Sequence, residues 1–178
     1  MNNINNNGPL KDLIVIDLTR VLAGPYTSMI LSDLGARIIK VEPPNGDDSR
    51  EFSPFIKNQS AYFASLNRGK ESIKLDLKNN KDKLMFNNLL HKADILIENY
   101  KPGTMEKLGY GFNTLKKKYP NLIFASCSGF GQTGPWAKKP AYDMIVQGMG
   151  GLMSVTGHEG QEPVRVGTSI GDITAGLF

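Results

Sequence analysis

Short apolar runs alternate with longer amphipathic segments along the chain. The run LIVID at 13–17 is rich in β-branched residues, apolar residues then recur at helical spacing, and a second apolar run fills 37–42. We expect Pro25 at the first helical position, where its missing N–H costs nothing, and Gly35 just beyond the helix end. A strand, a helix and a strand in this order predict a βαβ unit with a right-handed crossover, and hence a parallel sheet.

The same alternation continues to the C-terminus. After an excursion of no clear period at 45–70, the pattern predicts strands at 72–77, 94–97 and 122–127, with helices between them. Asn79 or Asn80 is expected to cap one helix, Thr104 to begin a short one, and Asn113 to cap another. Residues 143–153 are predicted to be helical and 156–166 to form a hairpin-like turn. Strands alternating with helices indicate an open α/β sheet.

Composition narrows the classes of function. The chain has 178 residues, 40% of them hydrophobic, and no apolar run approaches the roughly 18 residues of a membrane span. A net charge of +4 without a basic, aromatic-rich stripe suits a polyanionic small ligand better than a nucleic acid. No spacing of His, Cys, Asp or Glu resembles a metal site.

The single cysteine and the N-terminus bear on the compartment. Cys127 has no partner for an internal disulfide, which favours a reducing compartment such as the cytoplasm; a mitochondrial location is the alternative. The polar segment 1–9 is predicted to be a disordered tail, and it lacks the pattern of a signal or transit peptide.

A βαβ unit first suggests dinucleotide binding, and Glu42 stands about where a ribose-binding acid would. The glycines argue against it. The fingerprint requires Gly-x-Gly-x-x-Gly, and the turn after 13–17 offers only Gly24, with Arg20 ahead of it.

Several longer motifs resemble one family. DLTRVLAGPYTSMILSDLGARIIKVEPPNGDDSR, NRGKESIKLDLK, ADILIENYKPGTMEKLG, ASCSGFGQTGP, AYDMIVQGMGGLMSVTG and VGTSIGD follow one another in the order found in class III CoA-transferases. That family includes formyl-CoA transferase, carnitine CoA-transferases and α-methylacyl-CoA racemase. The resemblance implies a Rossmann-like fold, acyl-CoA and a small carboxylic acid as substrates, no tightly bound cofactor, and an interlocked homodimer. Because family members are about twice this length, we expect 10–178 to be the N-terminal portion of their large domain, in truncated form.

Asp172 matches the catalytic aspartate of the family, after the run PVRVG at 163–167. With a reference pKa of about 3.9, a carboxylate is ionised at neutral pH and can attack a thioester without a partner base. We expect an aspartyl anhydride and then an aspartyl-CoA thioester, with backbone N–H groups near Gly167 and Gly171 as an oxyanion hole. From spacing alone, Asp172 also reads as a helix N-cap.

The resemblance also implies the CoA-binding positions. Arg20 stands where the family often has His, Lys107 stands where it usually has Arg, and Pro43 stands where some relatives place Arg. Without the motifs, Lys78 and Lys107 read as solvated surface lysines. The implied CoA-binding residues are Arg20, Val21, Leu22, Ala23, Leu75, Lys78, Asn99, Tyr100, Thr104 and Lys107.

Tyr142 separates the branches of the family. The racemase branch has His before the Asp of its A-x-D motif, whereas this chain has Ala141-Tyr142-Asp143. Tyrosine, with a pKa of about 10, is a poor base at neutral pH, which favours transfer over racemisation. Tyr142 is expected either to line the acyl pocket or to pack in the core.

The motifs resemble most those of transferases that use succinyl-CoA and a dicarboxylic acid such as glutarate. The alternatives are an acyl-CoA racemase and a non-catalytic CoA-binding fragment.

Overall fold

A computed structural model of the chain describes residues 8–178 and shows a parallel five-stranded sheet. Its strands stand in the order β5-β2-β1-β6-β7. The sheet strands are β1 (Ile14–Asp17), β2 (Arg37–Glu42), β5 (Glu71–Lys74), β6 (Ile95–Glu98) and β7 (Ile123–Ser126), and the short antiparallel pair is β3 (Phe55–Ile56) and β4 (Gln59–Ser60). The open, Rossmann-like α/β fold predicted from the sequence is therefore confirmed.

Helices connect the strands and cover both faces of the sheet. They are α1 (Ala23–Asp33), α2 (Ala61–Asn67), α3 (Asn80–Leu90), α4 (Thr104–Leu108), α5 (Phe112–Lys118), α6 (Asp143–Met149) and α7 (Ile170–Leu177). Successive strand residues point to opposite faces. Ile16 therefore packs in a core with Phe86 and Leu90 of α3, whereas Val15 packs on the other face, near Leu31 of α1.

Several predicted boundaries shift. α1 begins at Ala23, so Pro25 is its third residue, not its first; a first-turn N–H has no intrahelical partner at either place. α5 begins at Phe112 after Gly111, so Asn113 is not its cap, whereas Asn79 does cap α3 by accepting a hydrogen bond from the Lys81 N–H.

The remaining differences lie in the excursion and the C-terminal third. The excursion contains β3, β4 and α2, and β5 ends at Lys74 although Leu75 and Leu77 remain buried. α6 ends at Met149, before a 3₁₀ turn at Leu152–Val155, and no strand forms at 156–166. The predicted tail lies mostly outside the described residues; its last two, Gly8 and Pro9, sit in a turn near the end of α1.

Candidate active site

A groove of about 320 Å³ opens at the carboxyl ends of the parallel strands. Ligands of open α/β sheets bind at this edge. The groove is lined by residues that end or follow β1, β2, β5 and β6, namely Leu18, Arg20, Val41, Glu42, Pro43, Pro44, Leu75, Asp76, Leu77, Lys78, Tyr100, Lys101, Thr104 and Leu108.

The groove combines apolar walls with basic side chains. Arg20, Lys78 and Lys101 supply three positive charges, against the carboxylates of Asp76 and of Glu42, which is paired with Arg50. The Arg20 guanidinium lies 5.5 Å from the centroid of the Tyr100 ring. Arg20 Nη1 is 3.2 Å from Asp48 Oδ2, but both side chains are substantially exposed, so this ion pair is weak. Apolar walls with a basic rim suit a ligand that carries a flat ring system and phosphate groups.

The turn after β1 is fixed by several hydrogen bonds. The Asn99 side chain accepts from the Arg20 N–H and donates to the Arg20 carbonyl, both at 2.8 Å, and the Thr19 N–H donates to Asp17 Oδ1 at 2.8 Å. Val21 has φ 68°, a conformation that a β-branched residue rarely adopts. Such a residue persists only where its surroundings over-determine the backbone, as these contacts do.

Buried charges lie behind this turn. Lys40 Nζ donates to the Thr19 carbonyl at 2.7 Å and lies 2.8 Å from Asp47 Oδ2, and Lys70 Nζ donates to Asp17 Oδ2 at 3.1 Å. All four side chains are at most 1% exposed. Burial lowers the pKa of Lys70 to about 8. Burial alone would raise the pKa of Asp17, but Lys70, Lys40 and two hydroxyl donors hold it below its usual value.

Five of the ten predicted CoA-binding residues line the groove: Arg20, Leu75, Lys78, Tyr100 and Thr104. Val21 and Leu22 continue the turn, Ala23 begins α1, and Asn99 holds the turn without lining the groove. Lys107 is exposed on α4 and does not line it. Lys101 does line the groove and was missed by the sequence interpretation, although it belongs to a motif that carried the resemblance.

Asp172 is the third residue of α7 and is half-buried. Ser169 occupies the N-cap position, so the interpretation of Asp172 as an N-cap is wrong. Burial, and then the charge of Asp143, raise the pKa of Asp172. Burial is also the main cause that raises the pKa of Tyr62 and of Cys127, and the Asp172 charge is the next cause for each. The carboxylate therefore lies within electrostatic reach of α2 and of the end of β7.

The backbone around Asp172 differs from the expected oxyanion hole. The Gly171 N–H donates to Asp143 Oδ1 at 2.8 Å, so it is not free for a substrate oxygen. Gly167 has open space where a side chain would stand, and its proposed part remains a prediction. Tyr142 does not line the groove and is 78% exposed, so it is not a core tyrosine.

α7 packs closely against the beginning of α1. Thr27 Oγ1 donates to the Gly176 carbonyl at 3.0 Å, and a Cβ on Gly176 would lie 2.7 Å from the Ala23 carbonyl oxygen. Because Ala23 directly follows the turn at 18–22, the first turn of α1 separates the groove from the helix that carries Asp172.

The model for CoA-transferase family III matches residues 10–178. The chain belongs to the CoA-transferase family III. Its relatives include the acetyl-CoA:oxalate CoA-transferase of Acetobacter aceti, 54% identical over 173 residues, which cover 96% of this chain and 44% of that protein. The succinyl-CoA:glutarate CoA-transferase of Mus musculus is 44% identical over 172 residues, which cover 96% of this chain and 39% of that protein.

A solved structure has the same fold. The crystal structure of a CAIB/BAIF family protein from Brucella suis superposes with a TM-score of 0.92 at 43% identity, covering 96% of this chain and 47% of that one. The chain thus spans about half the length, or less, of the relatives and of the solved structure that it matches.

Two further findings concern residues 8–178. Within that range no three or more His, Cys, Asp or Glu side chains are grouped so that they could hold a metal ion. None of the helices described there has both the length and the apolar character needed to cross a membrane.

Proposed function

We propose that this protein transfers coenzyme A from an acyl-CoA to a small carboxylic acid, with Asp172 as the nucleophile. The observation that carries the proposal is the position of Asp172. It is a half-buried carboxylate on a helix that packs against Ala23, the residue that follows the turn at 18–22, which we call the groove turn. In this proposal coenzyme A is a substrate and no resident cofactor is needed.

The transfer proceeds in balanced steps. A carboxylate oxygen of Asp172 attacks the acyl carbonyl, the C–S bond breaks, and CoA leaves as the thiolate with a mixed anhydride remaining. The thiolate then attacks the aspartyl carbonyl, which releases the donor acid and forms an aspartyl-CoA thioester. The acceptor carboxylate attacks the aspartyl carbonyl of that thioester, the C–S bond breaks, and the CoA thiolate leaves a second mixed anhydride. The thiolate then attacks the acceptor's acyl carbonyl, which forms the new acyl-CoA and releases the Asp172 carboxylate.

The acceptor is proposed to be a short dicarboxylic acid. The names of the relatives given above include oxalate and glutarate, which share this chemistry, while the donors differ between acetyl-CoA and succinyl-CoA. We propose succinyl-CoA as the donor. A homodimer and a cytoplasmic location, with the mitochondrion as the alternative, belong to the same proposal.

The decisive experiment traps the intermediate on protein expressed from its complete gene. After incubation with succinyl-CoA or acetyl-CoA, borohydride should convert an aspartyl thioester at 172 into an alcohol that peptide mass spectrometry detects. Asp172→Ala should lose the signal, whereas Glu159→Gln, a change in an exposed turn, should keep it. CoA binding without any adduct would favour the non-catalytic alternative, and an adduct elsewhere would also contradict the proposal.

The groove is tested separately by affinity for CoA. Lys78→Ala should weaken binding roughly tenfold, because a charge-assisted contact to phosphate is lost. Lys107→Ala should change it little, because that lysine lies outside the groove. Equal effects of the two changes would contradict this placement of the nucleotide.

A further inference from the structure

We propose that Asp143 and Gln147 of α6 are positioning residues that hold the segment carrying Asp172 for acyl transfer. The inference deepens the proposed function and rests on it. Neither side chain lines the groove, and neither is offered as a group that touches substrate.

The two side chains form a continuous set of hydrogen bonds with the backbone before Asp172. Asp143 Oδ1 accepts from the Gly171 N–H at 2.8 Å, and Asp143 Oδ2 accepts from Gln147 Nε2 at 2.7 Å. Gln147 Oε1 accepts from the Val166 N–H at 2.8 Å, and its Nε2 also donates to the Thr168 carbonyl at 3.2 Å. We call Asp143 and Gln147, with these bonds, the α6 clamp. The clamp binds the backbone at three positions within six residues.

Burial makes these hydrogen bonds important for stability. Asp143 is 7% exposed and Gln147 is 2% exposed, although neighbouring side chains of α6 such as Met144 and Ile145 are largely exposed. Two buried polar side chains on an otherwise exposed helix are explained by the backbone groups they satisfy. Leaving those groups unpaired costs more than the bonds themselves contribute.

The loop that leads into α7 has no regular structure of its own, whereas α7 itself packs against α1. Residues 156–169 form no helix or strand, and no atom lies near the missing side chain of Gly167. Ser169 makes no side-chain hydrogen bond to the first turn of α7, so the Gly171 N–H depends on Asp143, a residue of another helix. A carboxylate at this place also suits the helix dipole.

Asp143 also acts on Asp172 through its charge. A nearby carboxylate disfavours the ionised form of Asp172, and the Asp143 charge adds to burial in raising the pKa of Asp172. Among the described residues, Tyr62 of α2 and Cys127 after β7 also interact with Asp172, and both are neutral near pH 7. The clamp therefore places the nucleophile and opposes its ionisation at once, and substitutions can separate the two effects.

Three variants separate placement from charge, in protein expressed from its complete gene. Gln147→Leu removes the bonds to Val166, Thr168 and Asp143 but keeps the Asp143 charge. Asp143→Asn removes the charge and keeps an acceptor for the Gly171 N–H, although it sets its amide NH₂ against that of Gln147. Asp143→Ala removes both, and Gln161→Leu in the exposed loop is the matched control.

Hydrogen exchange of the peptide 163–175 should become faster in Asp143→Ala and Gln147→Leu and should stay unchanged in Gln161→Leu. Acylation of Asp172 should slow roughly tenfold to a hundredfold in the same two variants, because small displacements of a nucleophile cost that much. In the pH–rate profile of acylation, the fall in rate at acid pH should move to lower pH in Asp143→Asn and Asp143→Ala, because the pKa of Asp172 falls when the Asp143 charge is removed. It should not move in Gln147→Leu. If Asp143 had a purely structural role, its substitution would not shift the acid side of this pH–rate profile.

The outcomes for the two proposals are distinguishable. If wild-type protein forms no adduct, the proposed function fails. The clamp can still be tested by hydrogen exchange and by a ¹³C NMR titration of Asp172, with the signal assigned by comparison with Asp172→Asn. Unchanged exchange in Asp143→Ala and Gln147→Leu would overturn the clamp. An Asp172 titration that is the same in Asp143→Asn and wild type would overturn the role of the charge.

Discussion

Asn99, which follows β6, makes two hydrogen bonds with the backbone of Arg20, which follows β1. Its side-chain oxygen accepts from the Arg20 N–H and its amide donates to the Arg20 carbonyl, each at 2.8 Å. β1 and β6 are neighbours in the sheet although 79 residues separate the two partners. One amide thus fastens the groove turn to the adjacent strand, at the point where the strand order reverses.

Asn99→Ala should destabilise the protein by about 1–3 kcal/mol, because two backbone groups of Arg20 lose their partners. It should also weaken CoA binding, because Arg20 lines the groove. Urea unfolding and a CoA titration measure the two effects. Asn88→Ala on the exposed face of α3 is the matched control and should be nearly neutral. Loss of stability with unchanged CoA affinity would separate Asn99 from the ligand site.

Lys40→Met should cost about 3–5 kcal/mol of unfolding free energy, because it leaves the buried Asp47 carboxylate without its cation. Adding Asp47→Asn should recover part of that loss, since the neutral amide can still accept from Ser49. Denaturant unfolding of the two single variants and the double variant gives the coupling energy. Lys74→Met, at an exposed position of β5, should have little effect. A double variant no more stable than Lys40→Met would contradict the pairing.

Stability at acid pH should depend on Glu42. Burial would raise the pKa of this carboxyl, but hydrogen bonds from Arg50, Ser72 and the Asp47 N–H hold it at about 2, below its ordinary 4.5. The unfolded state therefore binds the proton more readily, and the stabilisation, roughly 2–3 kcal/mol, is complete above pH 4.5 and is lost as the pH falls toward 2.

Unfolding measured in steps from pH 6 to pH 3 tests this. The difference between wild type and Glu42→Gln should be largest at pH 6 and should shrink steadily below pH 4.5. Glu71→Gln is the comparison, because Glu71 also pairs with an arginine, Arg37, but both side chains are more than half exposed. It should change stability by about 0–1 kcal/mol. A Glu42→Gln difference independent of pH would count against the ionised Glu42.

Local sequence signals predicted much of the fold. β2 occupies Arg37–Glu42 as its apolar run indicates, α4 begins at Thr104, and Asn79 caps α3. Each depends on neighbouring residues, so a short stretch of sequence contains the cause. The predictions that Pro25 is the first residue of α1 and that Asn113 caps α5 were wrong, because several residues near a helix start satisfy the same local rules.

The site could be predicted less completely, because its contacts join distant residues. Lys40 lies within an apolar strand, and only the fold brings Asp47 and the Thr19 carbonyl to its ammonium group. Likewise, the AYD motif drew attention to Tyr142, whereas it is Asp143 that reaches the backbone beside Asp172 across 28 residues. The motifs indicated which segments carry site residues, and the geometry identified the atoms that meet.

Val21 should test whether the groove turn is strained. Glycine adopts positive φ freely, whereas side chains with a Cβ do not, so Val21→Gly should be more stable than Val21→Ala by about 1 kcal/mol. At Val164, an exposed loop position without positive φ, the order should reverse, because glycine there only adds entropy to the unfolded chain. Thermal unfolding of the four variants measures both differences. The same order at both positions would show that the turn stores no strain at Val21. Suppose that the two positions show opposite orders and that Val21→Gly also binds CoA more weakly. The strain at Val21 would then lower the stability of the free protein while improving its affinity for the ligand.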